Sequence, residues 1–239
     1  LPQKCRRLFK YGHATLADGS GLNGCYATHL LLRPGTAVVA VPDALSDQWV
    51  APANCALATV IHAVSRLPDP CQRVLIQGGG LLGLYATWWL QSRGVSEIFC
   101  QDVSPQRVAA LGRFGAQPWP DDPPCGQVDL VLELAGTADV IPAGVAALRP
   151  GGHYVWAGMV HPQTRLELTG EAVVRKCLTI RGIHNYAPEH LIAGMDFLVQ
   201  QQDRQPLASV VSPPLKLTQL QDAFELARQK KWLRVAVQP

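Results

Sequence analysis

The stretch that most narrows the folds open to this chain is Gly78-Gly79-Gly80-Leu81-Leu82-Gly83. It follows a short apolar run, residues 73–76, that reads as a buried strand. It opens a longer apolar run, residues 81–92, that reads as a helix. Three glycines in such a strand–turn–helix have three separate uses. Gly78 permits a tight turn, Gly80 lets a phosphate approach the backbone, and Gly83 lets the helix pack closely on the strand. The N–H groups at the helix start lie at the positive end of the helix dipole and suit a pyrophosphate. The same pattern requires a carboxylate about 20 positions on. Asp102 stands 19 residues after Gly83, just past a strand-like run at 97–101. A carboxylate there accepts hydrogen bonds from both ribose hydroxyls and repels a 2′-phosphate, which favours NAD over NADP. Gly78, Gly80, Leu82, Gly83 and Asp102 are therefore candidate cofactor contacts. Arg107 can reach the adenosine from one helical turn beyond Asp102, or be an ordinary solvated helix residue.

The elements beyond the motif alternate. Residues 105–114 read as a helix that Ser104 can cap. Residues 127–134 read as a strand, 139–148 as a helix with Pro142 near its first turn, and 152–157 and 178–183 as strands. Alternation at these lengths predicts a doubly wound α/β fold, a parallel sheet with helices on both faces. Trp88 and Trp89 fall on the apolar helix and read as core. Upstream, residues 29–33 and 37–41 read as strands around a Pro34-Gly35 turn, and 51–66 as a helix stopped by Pro68 and Pro70. The tail predicts a helix at 190–201, a loop, a helix at 217–230 and a final strand at 233–237.

Charge and composition exclude several classes. Lys and Arg number 21 against 18 Asp and Glu, a formal charge of +3, without the basic stripe of a nucleic-acid binder. The longest apolar run, residues 78–90, has 13 residues, short of the ~20 that cross a bilayer. No secretory leader is visible. Seven scattered cysteines without a CxxC pair do not make a disulfide framework, so a cytoplasmic protein with reduced thiols is expected. The chain opens on Leu1-Pro2-Gln3-Lys4-Cys5 with no initiator methionine, and is expected to be a piece of something longer.

Further segments carry a resemblance. Ala51-Pro-Ala-Asn-Cys55-Ala-Leu-Ala-Thr59, the glycine motif, Leu148-Arg-Pro-Gly-Gly152 and Ala223-Phe224-Glu225 before a closing strand resemble the zinc-dependent medium-chain alcohol dehydrogenase family over essentially the whole chain. Leu1-Pro-Gln-Lys-Cys5 with Lys10-Tyr-Gly-His13, the Pro-Ala-Asn-Cys-Ala run, and His184-Asn-Tyr-Ala-Pro-Glu-His190 look like its members associated with phosphonate catabolism. The resemblance implies a remnant of a GroES-like, β-rich catalytic domain at residues 1–57 and a Rossmann NAD-binding domain at 58–188. A connecting helix and return segment would occupy 189–239. It implies a catalytic zinc held in part by Cys55, with Thr59 against the nicotinamide, and a structural zinc whose last ligand is Cys5. The partner ligands would precede Leu1, so the chain would be N-terminally truncated and inactive alone. Cys55 also reads as an inert buried cysteine.

Leu134, Ala135, Gly136, Ala157, Gly158 and Met159 would line the nicotinamide side, or be ordinary strand-to-loop packing. Ile183 and Asn185 would approach the nicotinamide or a neighbouring subunit. Arg234 would reach the pyrophosphate, or be an exposed basic residue beside Lys230 and Lys231. The implied activity is NAD- and zinc-dependent oxidation of a small alcohol or polyol, or reduction of the carbonyl, by hydride transfer in a homodimer or homotetramer. Two other readings stand beside it: a zinc-free quinone or enone reductase of the same fold, and a non-catalytic NAD-binding fragment. Cys5, Cys55 and Asp102 count against the first.

Overall fold

The structure, a computed structural model, describes the whole chain except Ala14, Leu16, Asp18, Ser20, Asp69, Pro124, Gln163, residues 205–208 and the side chain of Arg204. Packing divides it into two units, Asn54–Tyr186 on one hand and Leu1–Ala53 with Ala187–Pro239 on the other.

Instead of one helix at 51–66, the chain forms three pieces. Helix α1 (Asp47–Pro52) starts after Ser46 and ends on a proline. Pro52 has no N–H to give to the preceding turn, and the backbone widens into a π-turn over Ala53–Leu57. Helix α2 (Ala58–Ala63) follows and stops well short of Arg66. Such insertions are a usual cause of a break in a helix.

The Asn54–Tyr186 unit is built on strands β1 (Arg73–Gln77), β2 (Glu97–Gln101), β3 (Gln117–Pro118), β4 (Val128–Glu133), β5 (Leu148–Trp156) and β6 (Thr179–Gly182). Their order is β3-β2-β1-β4-β5-β6, and every neighbouring pair is parallel. That is the doubly wound Rossmann order, in which the chain runs outward from β1 on one side and returns beside it as β4. Helices α3 (Leu81–Ser92), α4 (Pro105–Gly112), α5 (Ile141–Ala147) and α6 (Gly170–Arg175) connect the strands. The six residues of β4 are all buried, as a strand covered on both faces requires. Trp88 and Trp89 are buried on α3.

Polar groups inside this sheet are paired. Gln77 is fully buried; its amide donates to the Val140 carbonyl at 2.7 Å and the Gln101 side chain at 3.1 Å, and its oxygen accepts the Tyr154 hydroxyl at 2.6 Å. At the opposite end of the strands, Asp129 accepts from Gln72 N and Arg73 N, both at 2.9 Å, and from Arg149 Nε at 2.5 Å. In this unit β3, only two residues long, and α6, whose start Thr169 caps through Ala172 N, have no counterpart in the sequence reading.

In the other unit the strands expected at 29–33 and 37–41 do not form. The turn between them does, with Thr36 N donating to Arg33 O and Gly35 at φ +83°. The flanking runs form no strand ladder among the described residues, Arg33 N donating instead to the Tyr11 hydroxyl at 2.7 Å, and Leu31 and Val38 are exposed. Apolar, β-branched sequence makes a strand only where a ladder partner is present. Helix α7 (Pro188–Gln200) and helix α8 (Leu220–Arg228), entered through a 3₁₀ turn at Leu217–Gln219, answer to the two tail helices. The loop expected between them includes residues 205–208, outside the described residues. The closing strand is shorter than expected. Arg234 makes an isolated bridge to Val211, and only β8 (Val237–Gln238) pairs with β7 (Leu215–Lys216). Pro213 and Pro214 lie between the two pairings and have no N–H to join them.

Candidate functional site

The carboxyl ends of β1 and β4 face the point where strand order reverses, which is where open α/β sheets bind ligands. The glycine motif sits there. Gly78 adopts φ +111°, and a side-chain carbon on it would lie 2.8–2.9 Å from the backbone of Leu134 and Ala135. Gly83 is tighter still: a β-carbon there would lie 2.1 Å from the Gly78 carbonyl oxygen, so α3 packs on the turn only because Gly83 has none.

Gly80 differs. It is the N-cap of α3, with ordinary φ of −74° and no side-chain cap, and a β-carbon on it would meet nothing within 4 Å. No neighbour in the chain demands glycine here. The open space lies against uncapped first-turn amides of a 12-residue helix, and a phosphate is the group such amides suit. Leu82, half-buried, lies in that first turn.

Asp102 stands at the end of β2. Its carboxylate accepts from Gly79 N at 2.7 Å and Ser104 N at 2.8 Å, with the Arg107 guanidinium 3.6 Å away. One carboxylate thus ties the glycine turn to the start of α4, which Ser104 caps through Arg107 N. A carboxylate has about four acceptor positions; Gly79 N and Ser104 N take two, and the Arg107 guanidinium lies beside Oδ2. This chain fits an adenine dinucleotide on three observations: the bare helix start, the open space at Gly80 and the Asp102 carboxylate held beside the glycine turn.

The loops after β4 and β5 meet over one side chain. Glu133, the last residue of β4, is fully buried. Its Oε1 accepts from Gly136 N at 2.6 Å; its Oε2 accepts from Gly158 N at 3.0 Å and Met159 N at 3.2 Å. Leu134, Ala135 and Gly136 are thereby fastened to Ala157, Gly158 and Met159. A β-carbon on Gly158 would lie 2.6 Å from Glu133 Oε1. Sequence reasoning named the six loop residues and missed the carboxylate between them. The available signal was an acid, Glu133, closing the apolar stretch Leu130-Val-Leu132.

Ile183 is buried, and its N–H donates to Trp156 O at 2.8 Å. Asn185 takes φ +63° and accepts from His62 Nδ1 at 2.7 Å. Tyr186 donates to the Asn54 carbonyl and to its side chain; burial, then the neighbouring Cys55, push its hydroxyl pKa up. Cys55 lies in the π-turn and is exposed; Thr59, half-buried, lies one turn later in α2. Cys5 is exposed, and Arg234 donates to the Leu233 carbonyl; both belong to the other unit.

Among the described residues no three His, Cys, Asp or Glu side chains come together as a metal-holding group. Zinc normally takes three or four protein ligands. Cys55 and Cys5, each alone, do not fit either zinc site that the resemblance implies.

No family model matches the chain. It is similar to 5-exo-hydroxycamphor dehydrogenase of Pseudomonas putida, 27% identical over 225 residues, 86% of this chain and 62% of that protein. It is also similar to sorbitol dehydrogenase of Bacillus subtilis, 27% identical over 237 residues, 91% of this chain and 64% of that one. The chain thus spans less than two thirds of either curated relative. Among solved structures it superposes on an alcohol dehydrogenase from Thermotoga maritima with a TM-score of 0.87 at 25% identity, covering 99% of this chain and 70% of the other. These similarities are to alcohol and polyol dehydrogenases, and the α/β sheet is the one such enzymes use.

Proposed function

We propose that this chain is the cofactor-binding part of an NAD-dependent oxidoreductase that interconverts a small alcohol or polyol and its carbonyl compound. The observation that carries the reading is the glycine turn at the strand-order reversal, tied by Gly79 N to the Asp102 carboxylate. Bound there, the nicotinamide would accept or return the hydride. The chain's own contribution is to bind and orient. The α3 amides would hold the pyrophosphate, Asp102 the adenosine ribose, and the loops around Glu133 the nicotinamide end. Asp102 favours NAD over NADP because its charge opposes a 2′-phosphate.

The names of the relatives support the substrate class. We take residues 58–188 as the cofactor domain, with 1–57 and 189–239 as parts of the substrate-side domain, in a cytoplasmic homodimer or homotetramer. The phosphonate-associated subgroup rests on the three segments quoted for it alone. Zinc chemistry would need ligands beyond the residues described, and no step is assigned to it. No helix among the described residues is long and apolar enough to cross a membrane.

The test is fluorescence titration with NADH and NADPH, followed by NAD reduction over a panel of small alcohols and polyols. Saturable NADH binding tighter than NADPH is expected of this chain, and turnover of an alcohol is expected of the longer protein that the resemblance implies. Binding without turnover of any alcohol would favour the non-catalytic reading; quinone reduction with NADPH would favour the reductase. Absence of dinucleotide binding would remove both the cofactor and the reaction.

A further inference from the structure

We propose that Glu133 is a positioning residue that sets the nicotinamide end of the site apart from the adenosine end; the inference rests on the dinucleotide reading above. A fully buried carboxylate without a cation beside it is costly unless its oxygens are satisfied. Among the described residues no ion pair involves Glu133. What satisfies it is a ring of backbone donors from two different loops: Gly136 N on one oxygen, Gly158 N and Met159 N on the other. Its own carbonyl accepts from Ala157 N and Gly158 N, both at 3.0 Å, so the same residue also closes the end of the β4–β5 ladder.

The geometry around the carboxylate leaves little freedom. Gly136 holds φ +79°, and a β-carbon on it would lie 3.0 Å from the Gly158 carbonyl. Gly158 is closed by Glu133 Oε1 at 2.6 Å and Gly136 N at 2.7 Å. Two glycines therefore bring two loops onto one carboxylate, and charge-assisted hydrogen bonds fix them. Loops otherwise are the mobile parts of a fold. The adenosine end has its own carboxylate, Asp102, acting on the glycine turn and the start of α4. The two acids, Asp102 just past β2 and Glu133 at the end of β4, share no hydrogen-bond partner, and the two regions meet where Gly78 packs on the Leu134 and Ala135 backbone.

It follows that loss of Glu133 separates the two halves of the ligand. In Glu133→Gln one oxygen is replaced by an NH₂ group that meets backbone N–H donors instead of accepting from them. The measurement is the dissociation constant of NADH and, separately, of ADP-ribose, which lacks the nicotinamide, for wild type, Glu133→Gln and Glu133→Asp. Expected in Glu133→Gln is a weakening of NADH by about tenfold, with ADP-ribose changed less than about twofold. Glu133→Asp, one methylene short, should keep the charge and restore only part of the difference.

An equal loss for both ligands, as a general loss of stability would give, overturns the proposal, and so does no loss for either. Wild-type protein that binds neither ligand overturns the dinucleotide reading and this inference with it. Should Glu133→Gln not fold, Gly136→Ala tests the same link, since it keeps the acid but drives a methyl against the Gly158 carbonyl. The same split between NADH and ADP-ribose is expected there, and an even loss again counts against it.

Discussion

Asp102 has two tasks that a single substitution separates by charge. Its oxygens order the glycine turn and the α4 start through Gly79 N and Ser104 N, and the proposed site turns the same carboxylate to a ribose. Asp102→Asn keeps the shape but sets an amide against one of those N–H donors. NADH should bind about tenfold more weakly, the loss expected for charge-assisted hydrogen bonds. NADPH should gain relative to NADH because the repulsion is gone. Parallel fluorescence titrations check both, and an unaltered NADH to NADPH ratio would remove Asp102 from cofactor choice. Asp129, at the other end of the sheet, is a stability residue. Burial raises its pKa, but the Arg149 hydrogen bond and the N–H groups of Arg73 and Gln72 outweigh burial and leave it below the ordinary carboxylate value. A folded pKa below the unfolded one gives stability that is present above the unfolded value and is lost as pH falls through the folded value. Urea denaturation should therefore show wild-type stability falling below about pH 4. Asp129→Asn should cost about 1.5–3 kcal/mol at pH 7 and flatten that acid limb. A variant with the same acid dependence as wild type would assign the loss elsewhere.

At the scale of the element, the two glycines of the α3 start make opposite predictions. Gly83→Ala would put a methyl 2.1 Å from the Gly78 oxygen, and should cost about 3 kcal/mol as α3 is pushed off β1. Gly80→Ala meets nothing within 4 Å at an ordinary φ, so its stability should fall by no more than about 1 kcal/mol, the preference of a helix N-cap for glycine over alanine. It should nonetheless weaken NADH, because the new methyl occupies the space against the helix amides. Urea melts and titrations on both variants decide the matter; a Gly80→Ala protein that binds NADH normally would place the phosphates elsewhere. Elements of this kind were legible because their information is local. The strand at 73–76, the glycine turn and the helix at 81–92 are adjacent in sequence and each has its own pattern. Residues 29–33 and 37–41 carry equally apolar sequence, yet no ladder forms there, because a strand is decided by a partner that the run itself does not encode. The break at Pro52 was visible as a proline, but its outcome, a π-turn carrying Cys55, depends on how the next turn repacks. Glu133 was hidden for a related reason. Its meaning comes from N–H groups up to 26 residues away, brought together only by the β4–β5 pairing.

At the scale of the molecule, the division into two units gives the last prediction. The sheet, the glycine turn, Asp102 and Glu133 all belong to Asn54–Tyr186, whereas Cys5 and Arg234 belong to the other unit. A ligand stabilises only the structure that binds it, by an amount set by mass action: about 2.7 kcal/mol at a hundred times its dissociation constant. Two units that unfold separately would break two-state behaviour. Calorimetry with and without NADH should then raise one transition and leave another in place. Hydrogen exchange should assign the protected amides to β1, α3, β4 and β5. Because the proposed cofactor site is made from the α3 amides and the carboxylates of Asp102 and Glu133, a chelator should change neither the NADH affinity nor the ligand-shifted transition. A chelator that abolished the NADH shift would mean that the sheet unit depends on a metal, contrary to a cofactor site made from backbone amides and two carboxylates.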